Sequence, residues 1–306
     1  MKKRDFVTLL DLEPDELLIL LDRAAEMKRA GTGLVDCPLM GKSVGLLFEK
    51  ASTRTRVSFE AGIYQLGGQS IFLSPRDVQL SRGEPLSDTA RVLSRYLSAV
   101  VVRTFSHESV EILAREADIP VINALTDLAH PCQALADLQT INEDRGSLKG
   151  IRVAYLGDGN NVANSLIIAC SMTGIHLSLA CPEGYDPDPH FLEEGVRRSA
   201  VSGGSIQVIR DPLKACHGAH FLYTDVWTSM GQEEESEKRK KDLGAYQLNA
   251  EKLNRAAPDA RVLHCLPAHR GQEITEELMD HPRSSIFDQA ENRLHTQKAL
   301  LEWLLT

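Results

Sequence analysis

Residues 43–73, SVGLLFEKASTRTRVSFEAGIYQLGGQSIFL, contain the structural unit that decides the fold. The apolar run Ser43–Phe48 is typical of a buried strand, and residues 53–66 have the spacing of a helix that Gly67 and Gly68 end. Residues 70–73 form a second expected strand. A strand, a helix and another strand in so short a stretch predict a parallel βαβ unit.

The alternation of strands and helices continues along the rest of the chain. Further strands are expected at 99–103, 120–124, 152–156, 176–180, 205–209, 221–224 and 262–264, with helices between them. This order predicts an α/β protein whose parallel sheets are covered by helices on both faces. The polar segment 143–149, with Gly146, indicates a junction between two domains, and a long amphipathic helix is expected at about 289–305.

Composition narrows the class of protein. The chain has 306 residues, 42% of them apolar, so two domains with buried cores are expected. Its net charge is −9, so neither a nucleic acid nor an anionic membrane is expected as a partner. No segment is expected to span a membrane or act as an export signal. The six cysteines include no C-x-x-C pair, which favours free thiols in the cytoplasm. The charged run at 233–242, EEESEKRKKD, is interpreted as a solvated face.

The segment 49–56, EKASTRTR, is suited to an anion because it opens a helix. A helix start carries unpaired N–H groups and partial positive charge, which attract phosphate. Hydroxyl groups and cations reinforce this charge: Ser52, Thr53, Thr55, Lys50, Arg54 and Arg56. The alternative is a Ser52 N-cap followed by solvated arginines. No P-loop motif occurs, so a nucleotide triphosphate site is not indicated.

The segment GDGNNV at 157–162 imitates a dinucleotide-binding motif but lacks its third glycine, because position 162 is Val. The next strand ends at Cys181 without the acid that would hold a ribose, so NAD or FAD is not expected. Asn160 and Asn161 remain suitable for holding a polar zwitterion.

Four further residues stand at expected strand or helix ends, where ligands bind in such folds. Arg103 ends a strand, and His130 precedes a helix that begins with proline; each has a structural alternative, a surface arginine and a satisfied histidine. Asp225 could pair with an ammonium group or belong to an ordinary loop. Cys265, between His264 and His269, could be a reactive thiol or a zinc ligand, but no second cluster supplies the other ligands.

Together these motifs resemble the aspartate/ornithine carbamoyltransferase family, and within it the ornithine branch. The resemblance covers essentially the whole chain and rests on eight segments in family order: STRTR at 52–56, VQLSRGEPLSDTARVLSRY at 78–96, VVRT at 101–104, HPCQ at 130–133, GDGNNVANS at 157–165, DVWTSMG at 225–231, HCLPAHRG at 264–271 and ENR at 291–293. One departure is Cys132, where the family more often has Thr; little effect is expected.

The resemblance implies two doubly wound domains joined by interdomain helices. Residues 1–145 would form a carbamoyl-phosphate-binding domain, to which the C-terminal helix at 289–306 returns, and residues 146–288 an ornithine-binding domain. It further implies a homotrimer, or a multiple of trimers, with sites at subunit interfaces, no metal and no organic cofactor.

The resemblance also assigns site residues. Carbamoyl phosphate would be bound by Ser52, Thr53, Arg54, Thr55, Arg56, Gln79, Arg103, His130, Gln133, Cys265, Leu266 and Arg293, with Gln79 donated to a neighbouring subunit. Ornithine would be held by Asn161, Asp225, Ser229 and Met230. The residues expected to act in catalysis are Cys265, Arg103, His130 and Asp225. Two alternatives stay open: a transferase acting on putrescine or acetylated ornithine, and a non-catalytic relative that binds a polyamine or a regulatory partner.

Overall fold

The computed structural model describes residues 3–31, 37–50, 52–74, 83–228 and 233–306. These residues form two compact units, one of Met1–Gln139 with Glu291–Thr306 and one of Thr140–Ala290. Each unit is built on a parallel sheet flanked by helices, which confirms the predicted α/β architecture. Within the described residues, none of the helices combines the length and apolar character needed to cross a bilayer.

The first unit has a four-stranded sheet in the order β2-β1-β3-β4. Its strands are β1 Ser43–Phe48, β2 Gln69–Leu73, β3 Ala99–Arg103 and β4 Val121–Leu125. Its helices are α1 Pro14–Ala30, α2 Thr53–Gln65, α3 Leu86–Leu93 and α4 His107–Glu116, and α5 Pro131–Arg145 leads out of it. The strand order reverses between β1 and β3. In parallel sheets, ligands bind beyond the carboxyl ends of the strands at such a reversal.

The second unit has a five-stranded sheet in the order β7-β6-β5-β8-β9. Its strands are β5 Arg152–Leu156, β6 His176–Ala180, β7 Ser205–Ile209, β8 Phe221–Thr224 and β9 Arg261–His264. Its helices are α6 Asn161–Thr173, α7 Pro189–Ser202, α8 Pro212–Cys216, α9 Ser236–Leu243, α10 Ala250–Arg255 and α11 Glu276–Met279; α12 Ile286–Leu305 follows. Here the order reverses between β5 and β8, so the segments that follow these two strands meet at one edge.

The last helix, α12, returns to the first unit, as expected. Gly62 of α2 faces Lys298, and a Cβ at Gly62 would lie 3.2 Å from the Lys298 Cγ, so glycine permits the close approach. Arg23 of α1 donates to both carboxylate oxygens of Glu302, at 2.6 and 2.9 Å. The helix begins at Ile286, before the expected residue 289, because Ile286 is packed in the core of the second unit.

Candidate active site

The opening turn of α2 lies at the reversal of the first sheet. Ser52 is its N-cap, and the Ser52 hydroxyl accepts a hydrogen bond from the Thr55 amide at 3.3 Å. The Glu49 amide donates to the Arg103 carbonyl at 2.8 Å, which ties the end of β1 to the end of β3. The chain therefore places the helix start and its partial positive charge beside Arg103.

Buried polar side chains from three helices meet at this turn. The Arg293 guanidinium of α12 donates to the Gln133 side-chain oxygen at 2.7 Å and to the Thr55 hydroxyl at 3.3 Å. Gln133 in turn donates to the Asp137 carboxylate at 2.8 Å. All four residues are buried. The hydrogen bonds fix the direction of Thr55 and of Arg293, which the sequence analysis placed in one site from distant motifs.

The electrostatics of the turn are strongly positive. His130 is buried at the start of α5, and its pKa lies well below the usual value. Burial is the largest cause, followed by the positive charges of Arg293, Arg103 and Arg54. The imidazole is consequently neutral near pH 7. Since the chain has a net charge of −9, a convergence of three guanidinium groups on one histidine indicates an anion site.

The side chains of Arg56 and Cys132, in the same two motifs, make other contacts. Arg56 pairs with Glu60 of its own helix at 2.9 Å and stacks on Phe72 at 3.7 Å, so its guanidinium is separate from the bonds that join Thr55, Gln133 and Arg293. The Cys132 thiol is fully buried and donates to the Asn123 carbonyl, and burial raises its pKa to about 12. Cys132 therefore packs as an inert core residue.

Glycines shape the loop after β5, at the reversal of the second sheet. Gly157 has a φ of +135°, and a Cβ at Gly159 would lie 2.2 Å from the Pro187 nitrogen. The backbone geometry of the loop therefore requires glycine at Gly159, independently of any dinucleotide. The loop ends at Asn160, whose side-chain oxygen caps α6 by accepting from the Val162 and Ala163 amides.

A buried acid connects the loops that follow β5, β8 and β9. The Cys265 thiol donates to Oδ1 of Asp225 at 2.8 Å, and the Asn160 amide donates to Oδ2 at 2.8 Å. Asp225 is nine-tenths buried, so its charge is held by a small number of oriented donors. Asn161 begins α6 beside this group and is partly exposed. The arrangement offers a carboxylate and a thiol to a cationic or amine-bearing ligand.

Asp225, His264 and Cys265 place one potential metal-ligand atom each within 4.8 Å of one another. However, both ring nitrogens of His264 already have hydrogen-bond partners. Its Nδ1 accepts from the Leu266 amide at 2.9 Å, which puts the proton on Nε2, and Nε2 lies 3.2 Å from the Glu273 carboxylate. With both ring nitrogens occupied, this imidazole has no lone pair to give a metal ion. It instead orients Leu266, which has a φ of +57°.

One residue of the charged run at 233–242, Arg239, is buried, whereas the sequence analysis interpreted the whole run as solvated. Most of α9 is solvated, but Arg239 is buried. Its guanidinium donates to the Asp158 carboxylate at 2.7 Å and to the Trp227 carbonyl at 3.0 Å, and it also pairs with Glu235. Arg239 thus joins the loop after β5 to the loop after β8, on both of which candidate site residues lie.

Three of the expected site residues, Gln79, Ser229 and Met230, lie outside the described residues. The structure brings Thr55, Gln133 and Arg293 into direct contact, and the charge effect on His130 places Arg54 and Arg103 close by. In the second unit it brings together Asp225 and Cys265. Sequence reasoning missed Arg239 and its partner Asp158, and it missed that Asn160 supports Asp225.

Comparison with known proteins agrees with this geometry. The chain matches two family models, "Aspartate/ornithine carbamoyltransferase, carbamoyl-P binding domain" at residues 4–143 and "Aspartate/ornithine carbamoyltransferase, Asp/Orn binding domain" at residues 149–304. An anabolic ornithine carbamoyltransferase from Pseudomonas aeruginosa is 53% identical over 306 residues, which is 100% of this chain and 98% of that protein. The ornithine carbamoyltransferase of Bacillus subtilis is 52% identical over 302 residues, 99% of this chain and 94% of that protein.

Solved structures are similar over the same length. The ornithine carbamoyltransferase from Pyrococcus furiosus has a TM-score of 0.94 and 48% identity, and the match covers 98% of this chain and 96% of that one. The enzyme of that name from Gloeobacter violaceus has a TM-score of 0.89 and 48% identity, with 100% of both chains covered. The chain belongs to the aspartate/ornithine carbamoyltransferase family.

Proposed function

We propose that this protein transfers the carbamoyl group of carbamoyl phosphate to the δ-amine of L-ornithine, giving L-citrulline and phosphate in arginine biosynthesis. The observation that carries the proposal is the cationic convergence of Arg54, Arg103 and Arg293 on the neutral His130 at the start of α2, in an acidic protein. Relatives that share about half of its residues over their full length bear this activity in their names.

The first unit would bind carbamoyl phosphate. The phosphate would lie at the opening turn of α2, against the amides and hydroxyls of residues 52–55 and the Arg54 guanidinium. Arg103, His130 and Thr55 would donate to the carbamoyl oxygen, with Gln133 and Arg293 holding that end of the site. Arg56 would stand at its edge, Cys265 and Leu266 would line the reacting end, and Gln79 would be supplied by a neighbouring subunit.

The second unit would bind ornithine. Asp225, Asn161, Ser229 and Met230 would hold its polar groups. An alkylammonium has a pKa of about 10.4 and cannot attack while it is protonated. Asp225 and Cys265, which share a hydrogen bond, would orient the δ-amine and take part in removing its proton.

The chemistry requires one bond to form and one to break. The δ-nitrogen attacks the carbamoyl carbon, the C–O bond to phosphate breaks, and phosphate leaves with that electron pair. Phosphate is already an activated leaving group, so the scheme uses no metal, no organic cofactor and no covalent enzyme intermediate. The residues expected to act are Arg103 and His130, which stabilise the negative oxygen, with Asp225 and Cys265.

We further propose a homotrimer that works in the cytoplasm. Apolar side chains are exposed on the first unit, including Val57 and Tyr64 on α2, and Val92 and Tyr96 at α3 and beyond its end. Tyr64 is 69% exposed and Tyr96 75% exposed, as expected of a surface that a partner covers. All six cysteines are free, which suits a reducing compartment. Sedimentation of the purified protein tests the assembly.

A citrulline assay tests the activity. Purified protein would be given carbamoyl phosphate with L-ornithine, putrescine or N-acetylornithine, and carbamoylated product measured for each. The proposal expects citrulline from ornithine, with kcat/KM for the other two acceptors lower by about a hundredfold or more, because the site has polar partners for the backbone groups. Preferential use of putrescine, or no turnover with any acceptor, would contradict it.

A further inference from the structure

A polar cavity lies at the amino-terminal ends of the strands of the second sheet, at the opposite edge from Asp225 and Cys265. It has a volume of about 360 Å³. Its floor includes Arg152, His176 and Ser205, which are the first residues of β5, β6 and β7 and stand next to one another in register. Lys214 and His217, in and after α8, form one wall. The function proposed above uses none of these residues.

The cavity exists because one face of the sheet is only partly covered. On one face, Ile206 of β7 packs near Gly195 of α7, and α7 packs closely on α6. Ser205 and Gln207 alternate with Ile206, so they face the other side. There the only helix in the connection from β7 to β8, residues 210–220, is α8, which has five residues. This short helix leaves the ends of β6 and β7 open, and the residues there are polar.

The cavity is positively charged, whereas the chain as a whole is negatively charged. Its lining residues include Arg152 and Lys214 but no acid, although the protein has a net charge of −9. Among the described residues, neither the Arg152 guanidinium nor the Lys214 ammonium makes an ion pair. The acid next to this helix, Asp211, accepts the Leu213 and Lys214 amides as the cap of α8.

Polar side chains complete the lining. His176 Nδ1 lies 2.9 Å from the Ser205 hydroxyl, and Gln207 donates to the Ser178 hydroxyl at 2.9 Å. These two hydrogen-bonded pairs lie side by side on β6 and β7. A forked guanidinium, an ammonium group and hydroxyl donors around one polar cavity form the set that proteins use for phosphate.

We propose that this cavity is a second anion site, which binds a small phosphate-bearing solute through Arg152 and Lys214, with His176 and the hydroxyls of Ser178 and Ser205 as further donors. The site is separate from the reaction site and does not depend on the function proposed above. Its volume exceeds that of a phosphate ion, so a phosphate monoester of a small metabolite fits as well as the free ion.

Titration calorimetry with inorganic phosphate tests the proposal. Since phosphate is also a product that the first unit would bind, the measurements use full-length Arg54→Gly protein, in which that first site is impaired. One phosphate per chain is expected to bind in this background. Adding Arg152→Gln should weaken that binding about tenfold, and adding Lys214→Gln as well should abolish it.

Arg197→Gln is the matched control, because it removes one positive charge from α7 on the other face of the sheet. It should leave the phosphate affinity unchanged. The proposal is overturned if Arg54→Gly protein binds no phosphate, or if Arg197→Gln weakens binding as much as Arg152→Gln does. If Arg54 does not serve the first site, two phosphates will bind, and only one of them should depend on Arg152. A single cooperative melting transition in each variant shows that the fold is retained.

Discussion

The Arg293 guanidinium donates to the Gln133 side-chain oxygen at 2.7 Å, although the two residues are 160 positions apart in the chain. The same guanidinium reaches the Thr55 hydroxyl, so the last helix completes a site that the first strands begin. Because Gln133 is itself fixed by Asp137, the direction of Arg293 is set before any ligand binds. Such preorganised donors stabilise developing charge without reorganisation.

Arg293→Gln is expected to lower kcat/KM for carbamoyl phosphate about a hundredfold to a thousandfold, because it removes a fixed, charged donor from the site. Steady-state kinetics with ornithine at saturation measures the loss. Arg56→Gln is the control, since Arg56 is half exposed and engaged by Glu60 and Phe72, and it should change kcat/KM by less than about fivefold. Equal losses in the two variants would show that the buried contacts of Arg293 contribute nothing to kcat/KM beyond one positive charge.

The lowered pKa of His130 predicts that the protein becomes less stable as the pH is lowered. Its pKa in the folded protein lies below the usual 6.5, so below about pH 6.5 the unfolded chain takes up a proton that the folded chain does not. The free energy of unfolding should therefore fall as the pH is lowered, by at most about 1.4 kcal/mol per pH unit from this group. Urea unfolding between pH 7.5 and 5.5 should show a shallower dependence in His130→Asn than in the unchanged protein; an identical slope would contradict the assignment.

Burial and three arginine charges lower the pKa of His130. Phosphate should raise it, because a dianion offsets the arginine charges. NMR titration of the imidazole protons, with and without phosphate, measures the shift. His220 reports on the proposed second anion site in the same titration: its pKa is lowered by burial and by Arg152 and Arg145, so phosphate bound at Arg152 should raise it. Repeating the titration in Arg152→Gln protein separates the two anion sites: the shift of His130 should persist there. No shift at His130 would place the anion elsewhere.

Much of this fold could be predicted because buried parallel strands have a simple signature. Strands β1, β3, β5, β6, β7 and β8 begin and end at the predicted residues, since their apolar runs are bounded by polar or turn residues. Helix starts are less certain because capping and packing decide them. For example, α12 begins at Ile286 rather than at the expected residue 289.

The site was predictable where its chemistry lies in local motifs, and not where distant residues meet. Arg239 stands between Lys238 and Lys240, which form local pairs with Asp242 and Glu237, so the run looks uniformly solvated. The partner that buries Arg239, Asp158, is 81 positions away. Asn160 was likewise visible as a helix cap, but only the fold shows that its amide supports Asp225.

Alkylation should test the place of Cys265 in the site. Cys265 and Cys37 are partly exposed, whereas the other four cysteines are buried. Iodoacetamide is therefore expected to abolish citrulline formation through Cys265, and ornithine should slow the reaction. Cys37→Ser protein should be inactivated like the unchanged protein, and Cys265→Ser protein should resist. Full activity after complete modification of Cys265 would remove it from the site.

Cys265→Ala should raise KM for ornithine about tenfold, because Oδ1 of Asp225 loses its 2.8 Å donor while the carbamoyl-phosphate residues of the first unit are untouched. Cys265→Ser retains a donor and should recover part of the affinity. KM for carbamoyl phosphate should rise less than KM for ornithine in both variants, because Cys265 would only line the reacting end of that substrate. Parallel changes for both substrates would show a general disturbance of the enzyme.

Arg239→Gln should selectively weaken the use of ornithine. The guanidinium holds the Trp227 carbonyl, two residues after Asp225, and the Asp158 carboxylate, two residues before Asn160, so its loss frees both loops at once. KM for ornithine should rise about tenfold with little change in KM for carbamoyl phosphate. Arg239→Lys should restore only part of the affinity, because Nη1 makes both of these contacts while Nε is held by Glu235, and an ammonium group lacks this planar arrangement. Lys240→Gln, on the exposed side of the same helix, should leave both constants unchanged.

Comparing the free energy of unfolding with KM for ornithine distinguishes a positioning role of Arg239 from a merely structural one. Removing one partner of a buried ion pair costs about 3–5 kcal/mol, so Arg239→Gln should also lower the free energy of unfolding, and Asp158→Asn added to it should recover part of that loss. The double variant removes the uncompensated buried charge but does not restore the bond to the Trp227 carbonyl. KM for ornithine should therefore stay high in the double variant while its stability recovers. If stability and ornithine affinity recovered together, Arg239 would act on the site only by neutralising Asp158.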